Sequence, residues 1–511
     1  MRASRRDVLT AIAGLTAAQA LTVQPFATTA MAQAAPQTAA GIVAAIREKR
    51  MTATDAVKAA LARAEQMKYL NAIITLNTDN ALAAAQKIDA MVAAGQALPP
   101  LAGLPIVVKD NINTADMPTT GGTEALRNAR PKGNAPSLQK LIDAGAIVIG
   151  KTNLHELAFG ITSTNAASFA GHVKNPYDTT RIPGGSSGGT AAAVAAGIVT
   201  AGLGSDTGGS TRIPAALTGT AGLRPSVGNG GAERRYHDAN AVVPISRTRD
   251  TVGPMGRTVA DVALLDAVVT GTPVAAAAPL KGKRIGIPTS FWSGLDPELE
   301  AVVKAARGKL ETAGVVFVDG DLAGLADLNA KVSFPVALHE PVEDIPAYLK
   351  ASGIDGVTLA DIAGKIKSPD VQGAFGAIMK DAFGKDYPDA MKVHRPALQK
   401  LYADYFKTSN LDAMLFPTTP APAVPIDAEK GSGEMSIGGG KPAPTFFTMI
   451  RNTDPGSNAG IPGLSLYAGM TKGGLPVGIE IDGPVGSDAV LLSLGLAMEA
   501  LLGTAPAPAA K

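Results

Sequence analysis

The sequence predicts an α/β protein with one central mixed β-sheet of many strands flanked by α-helices. Three observations carry this expectation. Short apolar, β-branched runs alternate with helical stretches along most of the chain; a central block of Gly, Ala, Ser and Thr lies between two such runs; and no interior segment has the length and polarity of a domain linker.

The elements follow in chain order. Ser4-Arg5-Arg6-Asp7-Val8-Leu9, a modestly apolar stretch to Val23, and the small-residue sites Ala30-Met31-Ala32 and Ala32-Gln33-Ala34 predict a cleaved twin-arginine signal peptide over residues 1–34. A periplasmic or secreted protein is then expected, with residues 35–504 as a single domain. Polar Thr and Gln residues break the apolar stretch, and no other segment is apolar enough to span a bilayer, so the mature form is expected to make no membrane contact. Apolar residues at helical spacing predict helices over 41–49 and 54–67, with Thr52 and Thr54 as candidate N-caps. Leu104-Pro105-Ile106-Val107-Val108-Lys109-Asp110 reads as a buried strand ending at Lys109. A helix over 137–144, capped by Gly145, leads into a second buried strand over 146–149, and further strands are expected over 284–287, 411–416 and 474–481. Residues 322–400 are helix-rich and are expected to form a cap or insertion over the sheet. The Pro/Ala-rich tail, 505–511, is expected to fray.

Composition narrows the function. The 511 residues are 46% hydrophobic and 18% charged, the make-up of a globular protein. With 46 Lys and Arg against 44 Asp and Glu, the net charge of +2 supplies no field that would imply nucleic acid or a membrane surface. A small-molecule partner is expected. The absence of cysteine excludes disulfides, thiolate metal sites and cysteine nucleophiles. His155, His172, His237, His339 and His394 are scattered without the i, i+4 spacing of a helical metal site, so no metal is expected.

Two motif matches fail on context. Gly145-Ala146-Ile147-Val148-Ile149-Gly150-Lys151-Thr152 fits the phosphate-loop pattern, but its variable positions are apolar and form the strand itself, where a phosphate needs a loop. Gly184-Gly185-Ser186-Ser187-Gly188 fits the nucleophile elbow of α/β-hydrolases, yet the turn-rich run from Asn175 to Pro183 stands where that motif needs a buried strand.

The informative block is Gly184-Gly185-Ser186-Ser187-Gly188-Gly189-Thr190 and its all-small continuation to Gly197, followed by Gly204-Ser205-Asp206-Thr207-Gly208-Gly209-Ser210-Thr211-Arg212-Ile213-Pro214. A helix of small residues must be buried where backbones approach closely, and it could hold a serine-bearing glycine loop at each end. A lone loop of this kind is an ordinary turn with a capping serine; the pair is harder to explain that way. A serine hydroxyl needs a base to become a nucleophile, and the tetrahedral intermediate needs donors for its oxyanion. Backbone N–H groups of Thr207, Gly208, Gly209 and Ser210 could supply the donors. The base could be Lys109, whose pKa desolvation would lower, although in isolation that lysine is equally a surface residue or the partner of Asp110.

The block 184–214 resembles the amidase signature family, and the strand ending at Lys109 resembles that family's lysine strand. The likeness continues through Gly150-Lys151-Thr152-Asn153-Leu154-His155-Glu156-Leu157-Ala158-Phe159-Gly160, Asp250-Thr251-Val252-Gly253-Pro254-Met255, Leu415-Phe416-Pro417-Thr418-Thr419-Pro420 and Gly474-Leu475-Pro476-Val477-Gly478. It covers nearly all of the mature chain, with 322–400 least matched. The resemblance implies the amidase signature fold and an amidase that cleaves a carboxamide C–N bond through an acyl-enzyme. By position it implies Ser210 as nucleophile, Ser186 as proton bridge after a cis peptide, Lys109 as base, and residues 207–210 as oxyanion hole. Ser187, Asp206 and Arg212 would support these loops, and Ala158 and Phe159 would line the substrate cleft, with Phe446, Phe447 or Tyr467 as further candidates. No cofactor is implied, and a homodimer is left open.

Val243-Pro244-Ile245-Ser246-Arg247-Thr248-Arg249-Asp250 and Asn452-Thr453-Asp454-Pro455-Gly456-Ser457-Asn458-Ala459-Gly460-Ile461-Pro462-Gly463 look most like mandelamide and indoleacetamide hydrolases, which suggests an aryl or arylalkyl primary amide. The polar loop 229–238 departs from the family pattern and leaves access to the pocket open. The competing expectations are an esterase or carbamate hydrolase using the same residues, and an inactive periplasmic ligand-binding protein on the same scaffold.

Overall fold

A computed structural model describes residues 38–509; the signal-peptide reading of residues 1–34 lies outside the described residues. The strands are β1 Ile73–Leu76, β2 Pro105–Lys109, β3 Ile147–Thr152, β4 Ala201–Asp206, β5 Ala221–Arg224, β6 Thr251–Gly256, β7 Arg284–Pro288, β8 Val316–Gly320, β9 Ala413–Pro417, a short ribbon of β10 Glu434–Met435 with β11 Ala443–Pro444, then β12 Gly463–Met470 and β13 Pro476–Asp482. All but the ribbon form one sheet of 11 strands, ordered β1-β3-β2-β4-β6-β5-β12-β13-β9-β7-β8. The sheet is mixed: β2 runs parallel to both β3 and β4, β7 parallel to β8 and β9, and the intervening pairs are antiparallel. This is the α/β architecture that the alternating apolar runs predict.

The strand containing Lys109 is buried at every position, as expected for a strand covered on both faces. The phosphate-loop match is indeed mostly strand: β3 carries Gly150, Lys151 and Thr152 within it. Helix Ala53–Gln66 is capped by Thr52, whose hydroxyl accepts from the Asp55 N–H at 2.9 Å. Thr54 lies inside that helix, where its N–H donates to Asp89, and so does not cap it. Thr38 caps the preceding helix, Ala39–Arg47.

Helix Gly188–Ala195 is buried along its whole length and packs against β2, β3, β4 and β6. Gly189 lets it do so. A Cβ there would stand 2.2 Å from the Asn153 carbonyl and 2.6 Å from that of Ala72. The register pairs Lys109 with Thr152, and Val108 with Leu203. The carboxyl ends of β2, β3 and β4 therefore open at one edge of the sheet, where the loops carrying Ser186 and Ser210 also lie.

The expected helix-rich segment comprises Leu325–Ala337, Pro341–Ser352, Leu359–Lys365 and Pro369–Ile378, and the helix Arg395–Thr408 follows. Its apolar faces form a cluster around Ile345, Tyr348, Ile362 and Phe375, which also takes in Leu126, Leu157 and Val243 from the body of the chain. The start of the tail corrects the expectation of fraying. Ala505 is buried and its carbonyl accepts from Arg257, while that of Pro506 accepts from the Tyr177 hydroxyl. Among the described residues no helix is long and apolar enough to cross a membrane.

Candidate active site

Lys109 ends β2 with its side chain fully buried. Its Nζ lies 2.7 Å from Ser186 Oγ, 2.8 Å from Ser205 Oγ and 3.3 Å from the Ser205 carbonyl. Burial pulls the ammonium pKa from 10.5 down to about 7, against the opposing pull of the Asp206 and Asp250 carboxylates. An amine so held can exist uncharged near neutral pH and accept a proton. Ser205 and Asn111 were not singled out from sequence. The Asn111 amide donates to Ser205 Oγ at 3.0 Å and so orients the hydroxyl beside the lysine.

Ser186 follows a cis peptide bond from Gly185. Its carbonyl accepts from the His155 N–H at 3.2 Å, and Ser187 Oγ contacts the Ser205 backbone, joining this loop to β4. The Ser187 N–H donates to the carbonyl of Ser210 at 3.1 Å, which ties the two serine loops together.

Asp206, at the end of β4, organises the second loop. Its carboxylate accepts from the N–H groups of Gly209 and Thr211, the Thr211 hydroxyl, and the guanidinium groups of Arg212 and Arg224. Burial opposes ionisation, but the two arginines outweigh it and hold the carboxyl well below its usual range. Arg212 also reaches Glu480 at 2.6 Å and Ser457 at 2.6 Å. The structure thus brings Ser187, Asp206 and Arg212 together around the two loops, with Arg224 a further member.

One expectation is refined. The Gly209 N–H donates to Asp206 Oδ1 at 2.9 Å, so it faces the supporting carboxylate. Gly209, at φ +145°, lies on the glycine-favouring side of the backbone map, and a Cβ there would come within 2.3 Å of Thr453 Oγ1. Thr207, Gly208 and Ser210 line the adjacent cavity, while Gly209 does not.

That cavity, of about 340 Å³, is walled by Phe159, Phe334, Phe446 and Phe447 together with Ala158, Ile245, Leu338 and Ile450. Phe334 and Phe446 stack at 6.3 Å, and Phe447 meets Phe334 edge-on at 5.4 Å. Of the residues expected to line a substrate cleft, Ala158, Phe159, Phe446 and Phe447 all line this cavity. Tyr467, in β12, does not line the cavity, and neither does the loop 229–238, whose Arg235 and Asp238 bind Asp266 and Ser137 instead. Phe334 and Leu338 come from 322–400, the segment that the sequence resemblance matched least, and no sequence signal singled them out.

The sequence model of the Amidase family matches residues 55–492. An indoleacetamide hydrolase of Agrobacterium vitis is 42% identical over 458 residues, covering 89% of this chain and 94% of its own. A mandelamide hydrolase of Pseudomonas putida is 40% identical over 480 residues, covering 91% of each. Among solved structures, a crystal structure of an amidase aligns with a TM-score of 0.78 at 31% identity, over 91% of this chain and 100% of the other. The native peptide amidase of Stenotrophomonas maltophilia aligns at 0.76 with 28% identity, over 93% and 99%.

Proposed function

The chain belongs to the amidase family and is a hydrolase acting on amides, and on that premise we propose that it cleaves an aryl or arylalkyl primary amide through a Ser210 acyl-enzyme. The observation that carries this reading is the buried Lys109 amine 2.7 Å from Ser186 Oγ, at the edge of an aromatic-walled cavity lined by Ser210. Neutral Lys109 accepts the Ser186 proton as Ser186 accepts that of Ser210, and Ser210 Oγ bonds to the amide carbon. The oxyanion rests on N–H groups from Thr207, Gly208 and Ser210. The intermediate then expels ammonia, which leaves with the proton returned through Ser186. Water repeats the path on the ester, releasing the acid and restoring the serine.

The preference for an aromatic acyl group rests on the four phenylalanines around the cavity and on the similarity to hydrolases of indoleacetamide and mandelamide. The twin-arginine segment would place this reaction in the periplasm, and fractionation of cells expressing Arg5→Lys/Arg6→Lys checks it by retention in the cytoplasm. The functional test is a panel of aryl and alkyl primary amides, anilides and esters assayed for product acid, with fluorophosphonate labelling in parallel. Arylalkyl primary amides should be turned over best, and Ser210→Ala should abolish both turnover and label. Labelling that persists in Ser210→Ala would overturn the assignment of the nucleophile.

A further inference from the structure

One peptide plane of the loop 207–210 is held by a buried ion pair that also grips the helical segment lining the cavity, and the next by Thr453 beside that pair. Arg249, only 2% exposed, places Nη2 2.6 Å from Asp454 Oδ1 and donates from the same nitrogen to the Thr207 carbonyl at 3.2 Å. Its Nη1 donates to the carbonyl of Ser333 at 3.0 Å, one residue before the cavity-lining Phe334. Asp454 in turn accepts from Asn329, on the same helix Leu325–Ala337, at 2.8 Å, and from Asn458 at 3.0 Å. The neighbouring Thr453 hydroxyl donates to the Gly208 carbonyl at 2.6 Å, and the Thr207 hydroxyl to Asp250 at 2.5 Å.

The geometry of the peptide unit turns these contacts into a constraint on the reaction. In a trans peptide the C=O and the following N–H point in opposite directions. The Thr207–Gly208 bond is trans, so a Thr207 carbonyl drawn onto Arg249 turns the Gly208 N–H the other way. Gly208 is packed against the same pair, since a Cβ on it would meet Ile450 at 2.9 Å, Asp454 Oδ1 at 3.0 Å and Arg249 Nη2 at 3.4 Å. We propose that Arg249, held by Asp454, is a positioning residue that aims the Gly208 N–H at the oxyanion and locks that peptide to the Ser333–Phe334 wall of the substrate cavity. This rests on the acyl-transfer reading above. It makes oxyanion alignment depend on the seating of the helical segment, through one side chain that also lines the cavity.

The test uses the full chain with phenylacetamide as substrate, phenylacetaldehyde as a ligand that forms a tetrahedral adduct with a serine nucleophile, and phenylacetate as a ligand that does not. Arg249→Met should lower kcat by about 100-fold, the loss typical of one oxyanion donor, with KM changed by less than about threefold. Affinity for phenylacetaldehyde should fall in step with kcat/KM while that for phenylacetate holds, and Arg249→Lys should recover part of the loss. The double variant Arg249→Met/Asp454→Asn, which leaves no lone buried carboxylate, should behave in the same way and supplies the reading if the single variant does not fold. A kcat within threefold of wild type, or equal losses of aldehyde and acetate binding, overturns the proposal alone. Wild-type protein that does not hydrolyse phenylacetamide overturns the functional reading and takes this inference with it.

Discussion

At the scale of single residues, the proposed chemistry turns on the protonation of Lys109. Its burial is what lowers the pKa to about 7, and in that proposal the competent form is the uncharged amine. Activity is therefore low below that pH and rises to a plateau above it, so kcat/KM for an arylalkyl amide should climb through a midpoint near 7. Asp250 and Asp206 both work to raise the lysine's pKa. Asp250→Asn removes one negative charge, so the midpoint should move to lower pH; a midpoint unmoved or shifted upward argues against Lys109 as the titrating base. Lys109→Met should reduce turnover by at least 1,000-fold, on the order of the loss when a triad member is removed, with circular dichroism unchanged. Lys151 offers the contrast. It too is buried, its pKa lowered to about 8, but it donates to the Ile112 carbonyl and the Thr119 hydroxyl and neighbours Asp110 at 3.4 Å. These contacts brace the chain just beyond Lys109. Sequence alone could not tell these two lysines apart by burial, since each ends or follows an apolar run; the motif around Lys109 could.

At the scale of elements, the helix Gly188–Ala195 is the part on which the two serine loops depend. Its approach to the sheet requires hydrogen at Gly189, because the atoms a methyl group would meet are backbone carbonyl oxygens that cannot rotate away. Gly189→Ala should destabilise the fold by about 1–3 kcal/mol or more, read as a lower Tm. Gly308→Ala, in the exposed stretch of helix Pro297–Thr312 with nothing within 4 Å of its Cβ, should instead stabilise by roughly 0.4–1 kcal/mol. Loss of stability at Gly308 or none at Gly189 would contradict the packing account. The burial of this helix is legible in its all-small composition, since side chains of that size leave no other way for a helix to pack tightly. Oxyanion geometry was only partly legible: four consecutive amides suggested four donors, whereas the Asp206 carboxylate captures that of Gly209. A run of residues fixes how many N–H groups a loop has, but the side chains that accept from them come from wherever the chain folds back.

At the scale of the whole molecule, the cavity draws its wall from stretches far apart in the chain, including Phe159, Ile245, Phe334 and Phe446. Phe334 stacks on Phe446 and meets Phe447 at its edge, so its ring anchors the aromatic side of the cavity. Phe334→Ala should lower kcat/KM for arylalkyl amides by about tenfold or more, corresponding to roughly 1–3 kcal/mol of apolar burial. A small aliphatic amide such as propionamide should lose little. Equal losses for both substrates would point to damage at the catalytic loops and not to a specificity wall.

The α/β alternation, five of the eleven sheet strands and the buried small-residue helix were readable from the sequence, because each depends on local pattern: apolar runs of strand length and a run of small side chains; Lys109, Ser186 and Ser210 were singled out through the resemblance of their motifs to the amidase signature family. Ser205 and Asn111 beside the lysine, the Arg249–Asp454 pair and the contribution of Phe334 were decided only by tertiary structure. These residues lack a local signature. Their roles come from distances set when strands and helices remote in sequence pack together, and from the low-dielectric interior that packing creates, which alone determines that the amine of Lys109 can lose its charge.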